Sequence, residues 1–217
     1  MPSPGDRAAT ARVDKPTTCR MFENDALEYF SRIHPATPFV VWTPVAGYFL
    51  VRSVMHHGVT VAATAGMFLA GLLFWTIAEY TLHRYVFHWM GQSKRAERIH
   101  FLLHGVHHDF PSDKDRLVMP LLTSTPLAFI FYGLFTFLMG RLGVGFFAGF
   151  VIGYLVYDGT HYAVHHFKQT TRLGKFLRKH HMLHHHADHD GGFGVSSPLW
   201  DYVFRTLPRS KKQLTNP

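Results

Sequence analysis

The chain of 217 residues has one cysteine, few acids and four long stretches with no charge at all. A lone Cys19 excludes an internal disulfide and says little about redox compartment. Against 14 Asp and Glu stand 22 Lys and Arg, a formal net charge of +8. That balance suits an anionic partner, but the basic residues lie between apolar runs and form no nucleic-acid-binding motif. Nucleic acid is therefore excluded as a partner, and an anionic membrane surface fits better. Residues 1–20 are polar, basic and proline-containing without the apolar core of a signal peptide, and read as a disordered basic tail. Residues 21–217 are expected to form a single domain.

No Asp, Glu, Lys or Arg occurs over Ile33–Val51, Ser53–Ala78, Leu117–Gly140 or Leu142–Tyr157. A bilayer core takes about 20 helical residues, with a range of about 17–25. The second and third runs meet that. The first and fourth need tilt, bending or polar residues to continue them. Spans are expected near residues 36–52, 59–80, 118–139 and 142–160. Turns around His56–Gly58 and Gly140–Gly143 would fold them into two helical hairpins. The polar segments 82–116 and 161–209 then share one side with the N-terminus. Of the 22 basic residues only Arg52 and Arg141 fall at the hairpin turns, so the positive-inside rule places that side in the cytoplasm. The expected fold is an all-α integral membrane protein: four transmembrane helices in two hairpins under a cytosolic, histidine-rich cap. A soluble helical protein is the alternative, disfavoured by span length and charge asymmetry. Ahead of the spans, Phe22–Ile33 is expected as a short amphipathic helix with Phe22, Leu27, Phe30 and Ile33 on its apolar face.

Most of the 18 histidines sit in two blocks, each beginning where an apolar run ends. The first holds HRYVFHW and HFLLHGVHHDFP, the second THYAVHH and RKHHMLHHHADHDGGFG. Four clusters emerge in the order two, three, two, three: His83 and His88; His104, His107 and His108; His161 and His165; His181, His184 and His185. Positions i, i+3 and i+4 share a helix face, so each triplet is expected to present its imidazoles to one point. His83 and His88 lie about 140° apart on an ideal helix, so they converge only if the helix distorts, or else serve different metals. Neutral imidazole suits Zn, Fe, Cu and Ni, and ten nitrogens are too many for one ion, so two metals with about five ligands each are expected. Glu79 and Asp158 are the foremost candidates for supporting carboxylates, with Asp109, Asp188 and Asp190 behind them. His100, His166, His180 and His186 are read as supporting or structural, and His34, His56, His57 and His189 as surface or core histidines.

The clusters, with HFLLHGVHHDFPSDKDRLVMP, YDGTHYAVHHF and FGVSSPLWDYVF, resemble the fatty acid hydroxylase branch of the membrane di-iron superfamily. That superfamily also contains sterol desaturases and carotenoid ring hydroxylases. The histidine pattern points to the superfamily; RLVMP and FGVSSPLWD point more narrowly to fatty acid 2-hydroxylases. The resemblance covers roughly Phe22 to Leu207. It implies ten metal ligands at His83, His88, His104, His107, His108, His161, His165, His181, His184 and His185, two iron ions, O₂ as co-substrate and a membrane lipid acyl chain hydroxylated at C2. Such a site readily accepts zinc instead on purification. No catalytic residue is singled out beyond the ligands.

Relatives in eukaryotes often carry an N-terminal b-type cytochrome domain. Here HPAT at His34 departs from its haem-binding His-Pro-Gly-Gly, so an external cytochrome or ferredoxin-type donor with a reductase is expected. The membrane would be the inner membrane of a bacterium or the endoplasmic reticulum of a eukaryote. Asp115, Arg116, Tyr162, Ser196, Ser197 and Asp201 are candidates for anchoring the polar end of the substrate. A desaturase or a hydroxylase of another lipid is the first alternative. A non-enzymatic metal-binding membrane protein is the second, disfavoured because a transporter places ionisable groups near the bilayer midplane.

Overall fold

The computed structural model describes residues 17–215 and is all-helical among them. Of the tail expected over 1–20, residues 1–16 lie outside the described residues. A short first helix, α1 (Asp25–Phe30), precedes the spans. It is shorter than expected because Asn24 caps it, its side chain accepting from the N–H of Ala26 and Leu27. Its buried member is Glu28, drawn in by Arg116, while Leu27 and Phe30 face outward. Of the apolar face expected there, Leu27 and Phe30 are turned away from the rest of the chain, while Phe22 and Ile33 are half-buried.

Four helices are long and apolar enough to cross a membrane: Thr37–Met55, Val61–Phe87, Leu121–Met139 and Leu142–His166. They are α2 (Thr37–Met55), α3 (Val61–Leu82, prolonged by a π-helical turn over His83–Phe87), α6 (Leu121–Met139) and α7 (Leu142–His166). Between α3 and α6 lie α4 (Lys94–His100), a second π-helical turn (Phe101–Gly105) and α5 (Val106–Asp109). Beyond α7 come α8 (Arg172–His186), α9 (Leu199–Val203) and α10 (Lys211–Thr215).

Two tight turns make the hairpins. Gly58 and Gly140 adopt φ of 60° and 57°, the left-handed conformation that costs glycine least. The fourth span outruns its uncharged stretch because Asp158–His166 continue the helix, burying Asp158 and His161 within the bundle. α7 is the centre of the bundle, packed against α2, α3 and α6. Small residues let it approach α3 closely: a Cβ on Gly149 would lie 1.8 Å from the Phe68 carbonyl oxygen. Aromatic rings fill the remaining space, with Phe131, Phe135, Phe146 and Phe150 in edge and tilted contacts. Val40, Leu73, Phe129 and Phe137 point outward, as lipid-facing side chains of a spanning bundle do. Because both hairpins turn at the far end, α3 and α7 deliver their C-terminal ends, and with them both histidine blocks, to the same end of the bundle.

Candidate metal centre

The histidines reach one place because four helix segments end there. His83 and His88 bracket the π turn that prolongs α3, and the His88 N–H donates to the His83 carbonyl at 3.1 Å. The π turn widens the helix by one residue, so a spacing that misses on an α-helix brings both rings to one side. Of the two readings left open for this pair, distortion of the helix end is the one realised. His104, His107 and His108 come from the second π turn and α5. His161 and His165 ride the end of α7, and His181, His184 and His185 the last two turns of α8.

The ten imidazoles form two groups of five: His83, His88, His104, His108 and His184; and His107, His161, His165, His181 and His185. Within each, the candidate ligand nitrogens lie within 4.8 Å of one another. This corrects the expectation that each triplet would aim at one point. The i, i+4 members stay together, whereas His107 and His184 cross over to the opposite group. His107 Nε2 lies 2.9 Å from His161 Nε2, and His184 Nε2 lies 3.0 Å from His88 Nε2. Each group thus takes four histidines from one block and one from the other.

The spacing of these nitrogens is that of a coordination sphere. His104 Nε2 lies 3.0 Å from both His83 Nε2 and His108 Nε2. His181 Nε2 lies 2.8 Å from His165 Nε2 and 3.0 Å from His185 Nε2. One ring nitrogen has either a proton or a lone pair, so it cannot satisfy two such neighbours by hydrogen bonding. With metal–nitrogen bonds of about 2.1 Å, ligands at right angles stand about 3.0 Å apart and tetrahedral ligands about 3.4 Å. The observed separations match the right-angle value, which suits a five- or six-coordinate ion better than a tetrahedral one. The residues therefore fit a metal pair.

Protonation agrees. Burial, followed by the neighbouring imidazoles, holds His88 down to about 3 and His108 to about 2. Burial also brings His184 to about 4, against an opposing contribution from the Gly191 carbonyl. His104, His107, His181 and His185 lie well below the ordinary histidine value for the same first reason. All of these are neutral at pH 7, the form that binds metal.

The surroundings correct several expectations. The Glu79 carboxylate does not bond to the His83 ring; it accepts from the N–H of Val195 at 2.6 Å and of Ser196 at 2.7 Å. Asp158 is buried three residues before His161 on α7, and its Oδ2 meets no partner among the described residues. Asp188 pairs with Arg209, while Asp109 and Asp190 are exposed. Three candidate substrate anchors are committed elsewhere: Arg116 to Glu28, Ser196 to Glu79, and Asp201 to the loop after α8. Asp115 is exposed, Ser197 Oγ accepts from the Leu199 N–H, and Tyr162 packs on His166. His100 is structural, its Nδ1 2.8 Å from the Phe87 carbonyl. His180 contacts Asp201 at 3.2 Å. An apolar cavity between α2, α3, α6 and α7 was not foreseen residue by residue. Trp42, Trp75 and Phe147 line it, together with Leu82 next to His83 and Met119.

Residues 68–206 match the family model described as fatty acid hydroxylase. The chain is 38% identical over 194 residues to dihydroceramide fatty acyl 2-hydroxylase FAH1 of Arabidopsis thaliana, an alignment covering 88% of this chain and 81% of the relative. It is 34% identical to the fatty acid 2-hydroxylase of Mus musculus, over 87% of this chain and 56% of that one. Identity to the ceramide very long chain fatty acid hydroxylase SCS7 of Saccharomyces cerevisiae is 40%, over 77% of this chain and 44% of the relative. The solved structure of full-length scs7p, in which only the hydroxylase domain is visible, superposes with a TM-score of 0.80 at 37% identity. That superposition covers 86% of this chain and 70% of the other. The chain belongs to the fatty acid hydroxylase family.

Proposed function

We propose that this protein is an O₂-dependent hydroxylase that places a hydroxyl on C2 of a fatty acyl chain, in a ceramide-like lipid or a free fatty acid. The observation that carries this reading is the pair of five-imidazole groups at one end of a four-span bundle, beside an apolar cavity. The relatives named as 2-hydroxylases support the position of attack.

The ten histidines would hold two iron ions, five to each. Redox-active iron supplies the oxidising chemistry: O₂ takes two electrons and two protons, one oxygen atom entering the C–H bond and the other leaving as water. The chain's own contribution is placement and exclusion of water. Neutral imidazoles hold the ions without competing protons. The cavity is lined almost wholly by apolar and aromatic groups and, at about 50 Å³, admits the acyl chain only as the helices around it part, keeping its reacting end dry. Holding the carbonyl end fixed while the chain threads between helices decides which carbon comes nearest the ions.

The electrons come from an external cytochrome or ferredoxin-type donor with its reductase. The metal centre and both termini face the cytoplasm, as the charge asymmetry between the two ends supports. The membrane is the inner membrane in a bacterium and the endoplasmic reticulum in a eukaryote.

Expression in a host supplying a reductase, followed by mass spectrometry of total fatty acids, tests this reading. Accumulation of 2-hydroxy acyl chains is the expected result. Metal-loaded protein with substrate lipids present and no such gain overturns the C2 assignment; a new double bond instead identifies a desaturase.

A further inference from the structure

The two histidine groups differ in what stands behind them. In the first, the outer nitrogens of two ligands are held by one glycine-rich loop. His83 Nδ1 lies 2.6 Å from the Phe193 carbonyl oxygen, and His184 Nδ1 lies 2.8 Å from that of Gly191. A carbonyl can only accept, so both rings carry their proton on Nδ1 and turn a lone pair on Nε2 toward the site. In the second group, Nδ1 of His161, His181 and His185 is buried and meets no hydrogen-bond partner among the described residues, and His165 has a backbone partner in Pro111.

The loop is itself clamped by two buried carboxylates. Asp201, fully buried, accepts the Phe193 N–H at 3.0 Å on one oxygen and the Gly194 N–H at 2.8 Å on the other. Thr206 Oγ1 also donates to it at 2.8 Å. Glu79 holds the next stretch through Val195 and Ser196. Gly192, at φ 82°, donates its N–H to the Thr206 carbonyl at 2.7 Å, closing the loop's other side. The Gly194 N–H and the Phe193 carbonyl belong to one planar peptide group. Negative charge at the N–H end therefore strengthens the carbonyl end as an acceptor. Asp201, the peptide bond and His83 form a chain in which a carboxylate acts on a histidine through one intervening amide. In the familiar arrangement the carboxylate meets the histidine directly.

We propose that the two metal positions are inequivalent, the one formed by His83, His88, His104, His108 and His184 being the tighter, and that Asp201 is the positioning residue that makes it so. This rests on the ten histidines being ligands. Losing a partner behind a metal-bound histidine typically costs about 10- to 100-fold in affinity, and that is the size of the difference expected between the two positions.

The test uses the purified full chain in detergent, loaded anaerobically with ferrous iron and titrated with a coloured iron chelator. Wild-type protein is expected to release its iron in two steps of one ion each, separated by about tenfold or more in chelator. In Asp201→Asn, one acceptor becomes a donor facing donors. The tighter step should weaken by about 10- to 100-fold and merge with the looser one, which should not move. A purely structural role for Asp201 would weaken both steps together, and that result overturns its positioning role. A single wild-type step for both ions overturns the inequivalence, with no variant needed. Should Asp201→Asn fail to fold, Glu79→Gln loosens the same loop from its other anchor and should weaken the same step. Fewer than two ions bound by wild-type protein sinks the ligand reading instead, a distinguishable failure.

Discussion

His83 and His88 face the same group of imidazoles across a single π turn, their ring centroids 5.0 Å apart, although four residues separate them along the chain. On an α-helix that interval spreads two side chains over about 140°. The extra residue of the π turn reverses the outcome, and π turns inside α-helices are frequent at functional sites.

The partition into groups makes a sharp prediction. His88→Ala and His184→Ala come from different sequence blocks yet border the same position, so each should strip the same one of two ions. His107→Ala should strip the other, although it is adjacent to His108. Activity should fall at least about 100-fold in all three, since losing a ligand exceeds losing its partner. Metal analysis of the pairwise double variants separates the cases: His88→Ala with His184→Ala retains one ion, and His88→Ala with His107→Ala retains none. Any other pattern contradicts the grouping.

Acid should destabilise the metal-free protein in a defined window. His88, His108 and His184 are held near 3, 2 and 4, below the ordinary 6.5. In the folded chain they refuse protons that the unfolded chain takes up below 6.5, so stability is full above that pH and falls as pH drops toward 4. Thermal unfolding followed in detergent from pH 8 to pH 4 should show a flat upper region and a declining lower one. A midpoint unchanged between pH 7 and pH 5 would count against the burial of these rings.

Close approach of α3 and α7 should make Gly149 intolerant of any side chain. Gly149→Ala places a Cβ 1.8 Å from a backbone oxygen and should cost about 3 kcal/mol or more, because backbone cannot move aside as a side chain does. Gly133→Ala on α6 meets nothing within 4 Å and serves as the control, with an unchanged or slightly raised unfolding midpoint. Equal effects from the two would argue against the helix packing described.

Glu28 ties α1 to the cap. Burial raises its carboxyl, but the N–H groups of Phe22 and Met21 and the charge of Arg116 outweigh this and bring it down to about 2. Arg116→Met removes one of the two guanidinium partners of that carboxylate, leaving Arg32 and the two backbone N–H groups, and should cost about 1.5 kcal/mol, the worth of one hydrogen bond to a charged group. Limited proteolysis should then cut between residues 17 and 33 in the variant but not in wild type. Glu28→Gln with Arg116→Met should recover part of the loss, since the carboxylate that lost a partner is gone.

What the residues determined by themselves follows from local rules. Uncharged runs of sufficient length dictate spanning helices, because backbone polar groups in a bilayer must be satisfied within the helix. Glycine at 58 and 140 dictates the hairpin turns, and the ten histidines stand out by spacing and by falling at span ends. Helical periodicity placed each triplet on one face. It could not say that a single face would serve two centres, because a shared face says nothing about where the neighbouring helix end arrives. That was decided by the tertiary meeting of α5 with α7 and α8, which sends His107 one way and His108 the other. Glu79 and Asp201 show the same division. Their burial among backbone N–H groups depends on a loop brought more than a hundred residues along the chain to Glu79, a relationship with no periodic trace in the sequence. The opening block, His83 to His108, supplies four imidazoles to one position and one to the other; only the folded bundle assigns which.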